Sequence, residues 1–281
     1  MGTEEGEAVT LASLNVCCGL RHPLRPVRER VAGFCRLLEQ AQPDLVNFQE
    51  VWAPGLAGLL RAHLPSLPFV AARPGPLGRP AGGLLSLSRT PVRAVRYTSF
   101  RGTRPRAGGR VFRGALAAGA CLQGVLTFEV AGRRTLVGNA HLTANRDGDW
   151  SPGHRHEALQ AQQLRRVQEA LRRAAGPGVD LVLVSGDFNL PSASPLYPAL
   201  LEGGRWRDPF AAADLPTFQA ELLPAGARAH RVDYVLVAAD PARYPVTPAE
   251  RLLTGRAPTA SGAAGFLSDH LAQAVTVRTP R

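Results

Sequence analysis

The chain lacks lysine altogether, so all 33 of its basic residues are arginine. It has one methionine, four cysteines and only 6% aromatic residues. Each shortage excludes something. Cys17, Cys18, Cys35 and Cys121 show neither C-x-x-C spacing nor a zinc pattern, so they read as buried free thiols. Few aromatics leave little surface for base stacking, which argues against single-strand specificity. No apolar run approaches the roughly 18 residues of a membrane-spanning helix. The Pro/Gly-rich stretch from Arg73 to Gly83 lacks Walker spacing, so no nucleotide cradle is read there. Residues 1–8 are expected to be flexible. They are acidic and no hydrophobic signal region follows, so a cytoplasmic location is the expectation, with a secreted mature form as the alternative.

What remains is the balance of a globular protein: 281 residues, 45% apolar and 20% charged, with a formal net charge of +11. An excess of arginine favours polyanions or anionic headgroups. The most basic stretch runs from Phe100 to Arg113. It reads either as a solvated turn or as a rim holding a phosphate-bearing substrate through residues such as Arg113. An anionic membrane surface or DNA would suit it; no protein partner is predicted.

The most informative stretch is Leu181-Val-Leu-Val-Ser-Gly-Asp187-Phe-Asn189. Its four leading apolar residues suit a strand buried on both faces. That strand ends by presenting a carboxylate and an amide, at the end where open α/β sheets place their chemistry. A strand over 9–16 ends at Asn15, one over 44–50 at Glu50, and one over 135–141 at His141. A strand over 232–237 opens with Asp233, and Asp269-His270 precedes a last strand over 271–277. Helices are expected over 27–41, 55–63 and 196–201, and after Ser151-Pro152 as N-cap and first turn. Residues 83–88 and 92–97 read as a strand pair, and 115–130 with 135–141 as a hairpin. No repeat or linker interrupts the series, and its polar ends run from residue 15 to residue 270. One domain over 1–281 is therefore expected.

Taken singly, each polar residue has a plain structural reading, such as a turn residue, a surface acid or a satisfied core histidine. Together those readings require six coincidences. If Glu50, Asp187, Asp233 and Asp269 converge, each pair about 4 Å apart repels by roughly 4 kcal/mol at an effective dielectric of 20. A hard divalent cation offsets that repulsion. Carboxylate and amide oxygens without cysteine favour Mg²⁺, with Mn²⁺ as a substitute, over zinc. His154 and His156, two apart, are poor joint ligands, and His22, His63 and His230 receive no role.

The segments Leu14-Asn15, Phe48-Gln49-Glu50, Ala140-His141-Leu142, Gly186-Asp187-Phe188-Asn189, Val232-Asp233-Tyr234 and Ser268-Asp269-His270 resemble, in order, the motifs of the endonuclease/exonuclease/phosphatase superfamily. The resemblance is greatest to its neutral sphingomyelinase-type branch, through Gln49-Glu-Val-Trp52, the run from His141 to Asn145, Arg113-Gly114 and Arg231-Val-Asp-Tyr-Val235. It implies an α/β (α+β) fold of DNase-like type, a four-layer sandwich of two packed mixed β-sheets flanked by helices. It also implies a Mg²⁺-dependent phosphodiesterase. In that reading Glu50, Asn15 and Asp269 hold the metal, and His270 is the general base oriented by Asp233. Asp187 aligns the nucleophile, while Asn189 and His141 contact the phosphate or leaving group. Asn145-Arg146 stand where secreted bacterial members carry an acid. The substrate is then a phospholipid headgroup; the alternatives are a nuclease acting on nucleic acid and an inactive phosphate-binding module.

Overall fold

In a computed structural model, which describes residues 7–18, 24–247 and 250–280, the chain opens with β1 (Ala8–Asn15), α1 (Val27–Ala41), β2 (Leu45–Gln49) and α2 (Leu56–His63). Next come β3 (Phe69–Ala71), β4 (Leu85–Ser88), β5 (Val92–Ser99) and α3 (Arg110–Ala120). β6 (Gly124–Val130), β7 (Thr135–His141), α4 (Glu157–Ala174) and β8 (Leu181–Asp187) follow. After the single turn α5 (Tyr197–Leu200) come β9 (Asp233–Ala238) and β10 (Glu250–Leu252). The two-residue strands β11 (Ala257–Pro258) and β12 (Ala264–Gly265) precede β13 (Ala272–Arg278).

Six strands in the order β10-β13-β1-β2-β4-β3 form one sheet, and five in the order β5-β6-β7-β8-β9 form the other. Both are mixed, because β1 runs parallel to β2 and β7 parallel to β8 while their other neighbours are antiparallel. The apolar run of β8 serves two cores. Leu181 and Leu183 pack between the sheets with Leu11, Val137, Val235 and Val275. Val182 and Val184 turn outward to Leu164, Val167 and Leu171 of α4. On the opposite side Val31, Phe34, Cys35 and Leu38 of α1 cover Ala12, Leu14, Val46 and Phe48. Helices, sheet, sheet and helices give the four layers that the resemblance implied.

Four local expectations are corrected. Strands β4 and β5 do not pair; β4 lies between β2 and β3, and β5 pairs β6 in the other sheet. Residues 110–120 are helical, because Phe112, Leu116 and Ala120 repeat at helical spacing on an inward stripe. The hairpin strand therefore begins only at Gly124. Helix α4 starts at Glu157, not at Ser151, whose own side chain bonds Asp149 instead. Cys121 is exposed and Cys18 half-buried, while Cys17 and Cys35 are buried as expected. The flexibility expected for 1–8 concerns, at 1–6, residues outside those described, as are Gly19 and His22; Ala8 pairs with Arg278 in the sheet.

Gly186 is where the fold is tightest. Its φ is +145°, and a Cβ there would stand 1.9 Å from the Ala140 carbonyl oxygen. Gly186→Ala is expected to destabilise the fold by about 3 kcal/mol. Urea unfolding measures this, and a loss below about 1 kcal/mol would contradict the packing described.

Candidate active site

The inward faces of the strands change character along their length. On β1 the face reads Val9, Leu11, Ser13, Asn15; on β2 it reads Leu45, Asn47, Gln49. On β7 it reads Val137, Asn139, His141, and on β8 Leu181, Leu183, Ser185, Asp187. β9, running the other way, reads Asp233, Val235, Val237. The apolar ends make the core between the sheets. The middle positions cross-link the sheets: Asn47 Nδ2 donates to Gly138 O at 3.0 Å and Ser185 Oγ at 2.9 Å, and Gln49 Nε2 to Asn139 Oδ1 at 2.8 Å. Asn139 Nδ2 donates to Phe48 O at 3.0 Å. The last positions form the site.

In the five-stranded sheet one register row runs Ser99, Gly124, His141, Asp187, Asp233. In the six-stranded sheet Asn15 stands opposite Gln49, with Glu50 next. Asn15 Nδ2 donates to Glu50 Oε1 at 3.2 Å on its own side and, across the seam, to Asp187 Oδ2 at 3.0 Å. His270, just ahead of β13, reaches the other sheet, where its Nδ1 lies 2.8 Å from Asp233 Oδ2. Its Nε2 lies 3.8 Å from Asp187 Oδ2 and 3.9 Å from Asp269 Oδ1. His141 Nε2 is 3.6 Å from Asp187 Oδ2.

Turns hold the remaining groups. Asp187 Oδ1 accepts from the Asn189 backbone at 2.9 Å, and Asn189 Nδ2 donates to Leu142 O at 2.9 Å. Ser268 Oγ donates to Asn15 O at 2.6 Å and accepts from His270 N at 3.2 Å, which ties the two chain-distant segments together. Cys17, Glu50 and Asn189 all have φ between +50° and +61°. Such backbone costs about 1–2 kcal/mol per residue for a side chain with Cβ and persists only where surroundings enforce it.

Burial pushes the Asp187 carboxyl up to about 6, with Asp233 adding to the rise and His270, His141 and the Asn15 amide opposing it. Burial pulls the His270 imidazole down, but Asp233, Asp269 and Asp187 outweigh it and hold it well above its ordinary value. With Nδ1–H given to Asp233, Nε2 is the nitrogen left facing the other acids. Burial, then the Asp269 charge, raises the Cys17 thiol, which hydrogen-bonds Asp269 and is no nucleophile.

The structure thus gathers Asn15, Glu50, His141, Asp187, Asn189, Asp233, Asp269 and His270. Arg113 is not part of this cluster; it is exposed on α3, where it lines a groove with Arg104 and Arg110. Four carboxylates against two imidazoles leave an excess of negative charge, and their oxygens with the Asn15 amide suit a hard cation. Among the described residues, Asp187, Asp233 and His270 have ligand atoms within 4.8 Å of one another. His270 Nδ1 is already engaged by Asp233, so that trio is a hydrogen-bonded relay. Glu50 Oε1 stands beside the Asn15 amide nitrogen, and the Asn15 oxygen accepts from Cys17 N at 3.0 Å.

One contributor had no sequence signal. Arg30 of α1 is fully buried beneath the site. Its guanidinium donates to Val16 O at 3.0 Å, Cys17 O at 2.6 Å and Leu267 O, and its Nε to Arg25 O at 2.7 Å. It clamps the loop after Asn15 to the loop before Asp269. On a helix of mixed polarity it looked like any surface arginine. Arg30→Met is expected to cost roughly 3 kcal/mol, since it leaves buried carbonyls without donors. Thermal and urea unfolding check this; a near-neutral change would contradict the clamp.

The family model described as endonuclease/exonuclease/phosphatase family matches residues 12–270, and the chain belongs to that family. Among curated proteins none is similar enough in sequence to count as a match. Solved structures share the fold. Sphingomyelinase C from Streptomyces griseocarneus has a TM-score of 0.68 at 19% identity, covering 96% of this chain and 99% of that one. TDP2 of D. rerio, complexed with single strand DNA product, has a TM-score of 0.68 at 17% identity, covering 97% and 99%. A mutant beta toxin from Staphylococcus aureus with bound magnesium ions has a TM-score of 0.68 at 15% identity, covering 97% and 100%.

Proposed function

We propose that this protein is a Mg²⁺-dependent phosphodiesterase that cleaves a phospholipid headgroup, in the manner of a sphingomyelinase. The observation that carries the reading is the His270–Asp233 pair at 2.8 Å, aimed at Asp187 beside the Asn15–Glu50 corner. A general base with an orienting carboxylate, set against oxygen ligands, is what metal-assisted phosphate ester hydrolysis requires.

Glu50, Asn15 and Asp269 would hold the cation, which when bound stabilises charge on the phosphate and leaving oxygens. Asp187 orients the attacking water. Once the ring is neutral, His270 Nε2 takes its proton, and Asp233 keeps the ring in the required tautomer and stabilises the imidazolium. The water oxygen bonds to phosphorus as the ester P–O bond breaks. His141 and Asn189 bind the phosphate, and a protonated His141 gives its proton to the departing oxygen; His270 then releases its proton to solvent and His141 takes one up for the next cycle. Mn²⁺ should substitute for Mg²⁺, since both are hard octahedral ions taken by oxygen ligands.

A nuclease reading draws support from the similarity to TDP2, whose complex holds single strand DNA product and whose TM-score equals that of the sphingomyelinase. Choline-phosphate release from sphingomyelin vesicles, run beside plasmid nicking, separates the two. Release without nicking is the expected result, and nicking without release would transfer the assignment to nucleic acid. An inactive binding module would turn over neither, nor bis-p-nitrophenyl phosphate.

His270→Ala is expected to lower turnover of bis-p-nitrophenyl phosphate by about 10³-fold while Mg²⁺ still raises its melting temperature. An active variant would end the general-base assignment. Glu50→Gln is expected to lose both turnover and the Mg²⁺-induced rise in melting temperature, read by scanning calorimetry. A wild-type-sized rise in that variant would remove Glu50 from the metal site.

A further inference from the structure

Helix α3 carries two apolar stripes, and only one has a partner. Phe112, Leu116 and Ala120 face inward; Phe112 meets the His156 ring edge-on at 5.2 Å and carries the Arg155 guanidinium 4.0 Å over its face. Val111, Ala115 and Ala118, also at helical spacing, and Leu122 in the turn that follows the helix face solvent. Val111 is 87% exposed and Leu122 60%. An uncovered stripe of this kind on a basic helix is the pattern of a segment lying in a membrane interface.

The charge beside it is of one sign. From residue 100 to residue 122 there are five arginines, 101, 104, 106, 110 and 113, and no Asp or Glu. Arg104, Arg110 and Arg113, with Gly114 and Ala117, line an open groove of about 470 Å³. A nucleic acid would be met by the arginines alone, whereas the stripe gains only by entering an apolar medium.

The topology puts this helix at the mouth of the site. Ser99 and Gly124, which bracket the segment, stand in the register row of His141 and Asp187, and Gln123 Nε2 donates to Leu142 O at 3.1 Å. The opposite sheet has a counterpart. The connection from β3 to β4 leaves beside Glu50, where Gly83 O accepts from Val51 N at 2.9 Å. Its turn presents Leu77, 84% exposed and held at φ +58°. A leucine kept in that conformation in open solvent serves nothing in the core.

We propose that the outer stripe of α3 and the Leu77 turn seat this protein on an anionic phospholipid bilayer. The apolar side chains enter the interface, the Arg104–Arg110–Arg113 groove takes lipid phosphates, and the acid–histidine site opens toward the headgroups. The inference rests on the phosphodiesterase reading for its use, but docking is measured without turnover.

The full chain is sedimented with vesicles of phosphatidylcholine alone and of equal parts phosphatidylcholine and phosphatidylserine, at low and physiological salt. Wild type is expected to bind the mixed vesicles, more weakly as salt rises. Val111→Asp with Leu122→Asp is expected to weaken that binding about tenfold or more, with circular dichroism and bis-p-nitrophenyl phosphate turnover unchanged. Leu77→Asp, tested separately, should act in the same direction. His270→Ala should bind as wild type does, so a failed catalytic assignment leaves this readout intact. Absence of vesicle binding by wild type would overturn the proposal, as would equal binding by the double variant. A single-stranded oligonucleotide that binds in place of vesicles, indifferent to Val111 and Leu122, would assign the arginines to nucleic acid and overturn it too.

Discussion

The arrangement depends on polar side chains bridging two sheets that are otherwise held by oil. A β-sandwich core is ordinarily apolar from end to end. Here the inward faces turn from Val and Leu to Asn, Gln and Ser, and only then to acid and histidine. A buried amide left without partners costs about 1–3 kcal/mol, so Asn47, Gln49 and Asn139 hold the sheets in the one register that pairs them. That register sets Asn15 and Glu50 of one sheet against Asp187 and Asp233 of the other.

Repulsion and strain accumulate at the same end. Asp187 is buried with its carboxyl raised to about 6, and Glu50 and Asn189 sit in left-handed backbone. Hydrophobic layers on both outer sides and the buried Arg30 clamp keep this end from relaxing. Function is then drawn from a stable frame, in which the acids, the Asn15 amide and His270 bond one another while the buried His141 Nδ1 has no partner.

Much of this was legible in the residues. The ends of the strands at Asn15, Glu50, His141 and Asp187 could be read because each follows an apolar run and precedes a turn, and Asp233 because it opens one. The order of six short motifs carried the family. Pairing between strands was less legible: β4 and β5 are adjacent in sequence and each fits a hairpin, but their inward faces belong to different sheets. Helix α3 reads as loop up to Arg113 and as strand from Ala115, because Ala and Gly dominate its sequence and its apolar residues lie on two faces, which blurs a single period. Arg30 was invisible for another reason: a buried guanidinium bonded only to carbonyls from distant loops leaves no local pattern.

The central claim is that Glu50, Asn15 and Asp269 of one sheet hold a divalent ion against the acids and histidines of the other. Crystals grown with Mn²⁺ and measured near its absorption edge test it most directly. An anomalous peak within coordination distance of Glu50 and between Asn15 and Asp269 is predicted. No peak there, or a peak only at a surface acid such as Asp147, would contradict the account.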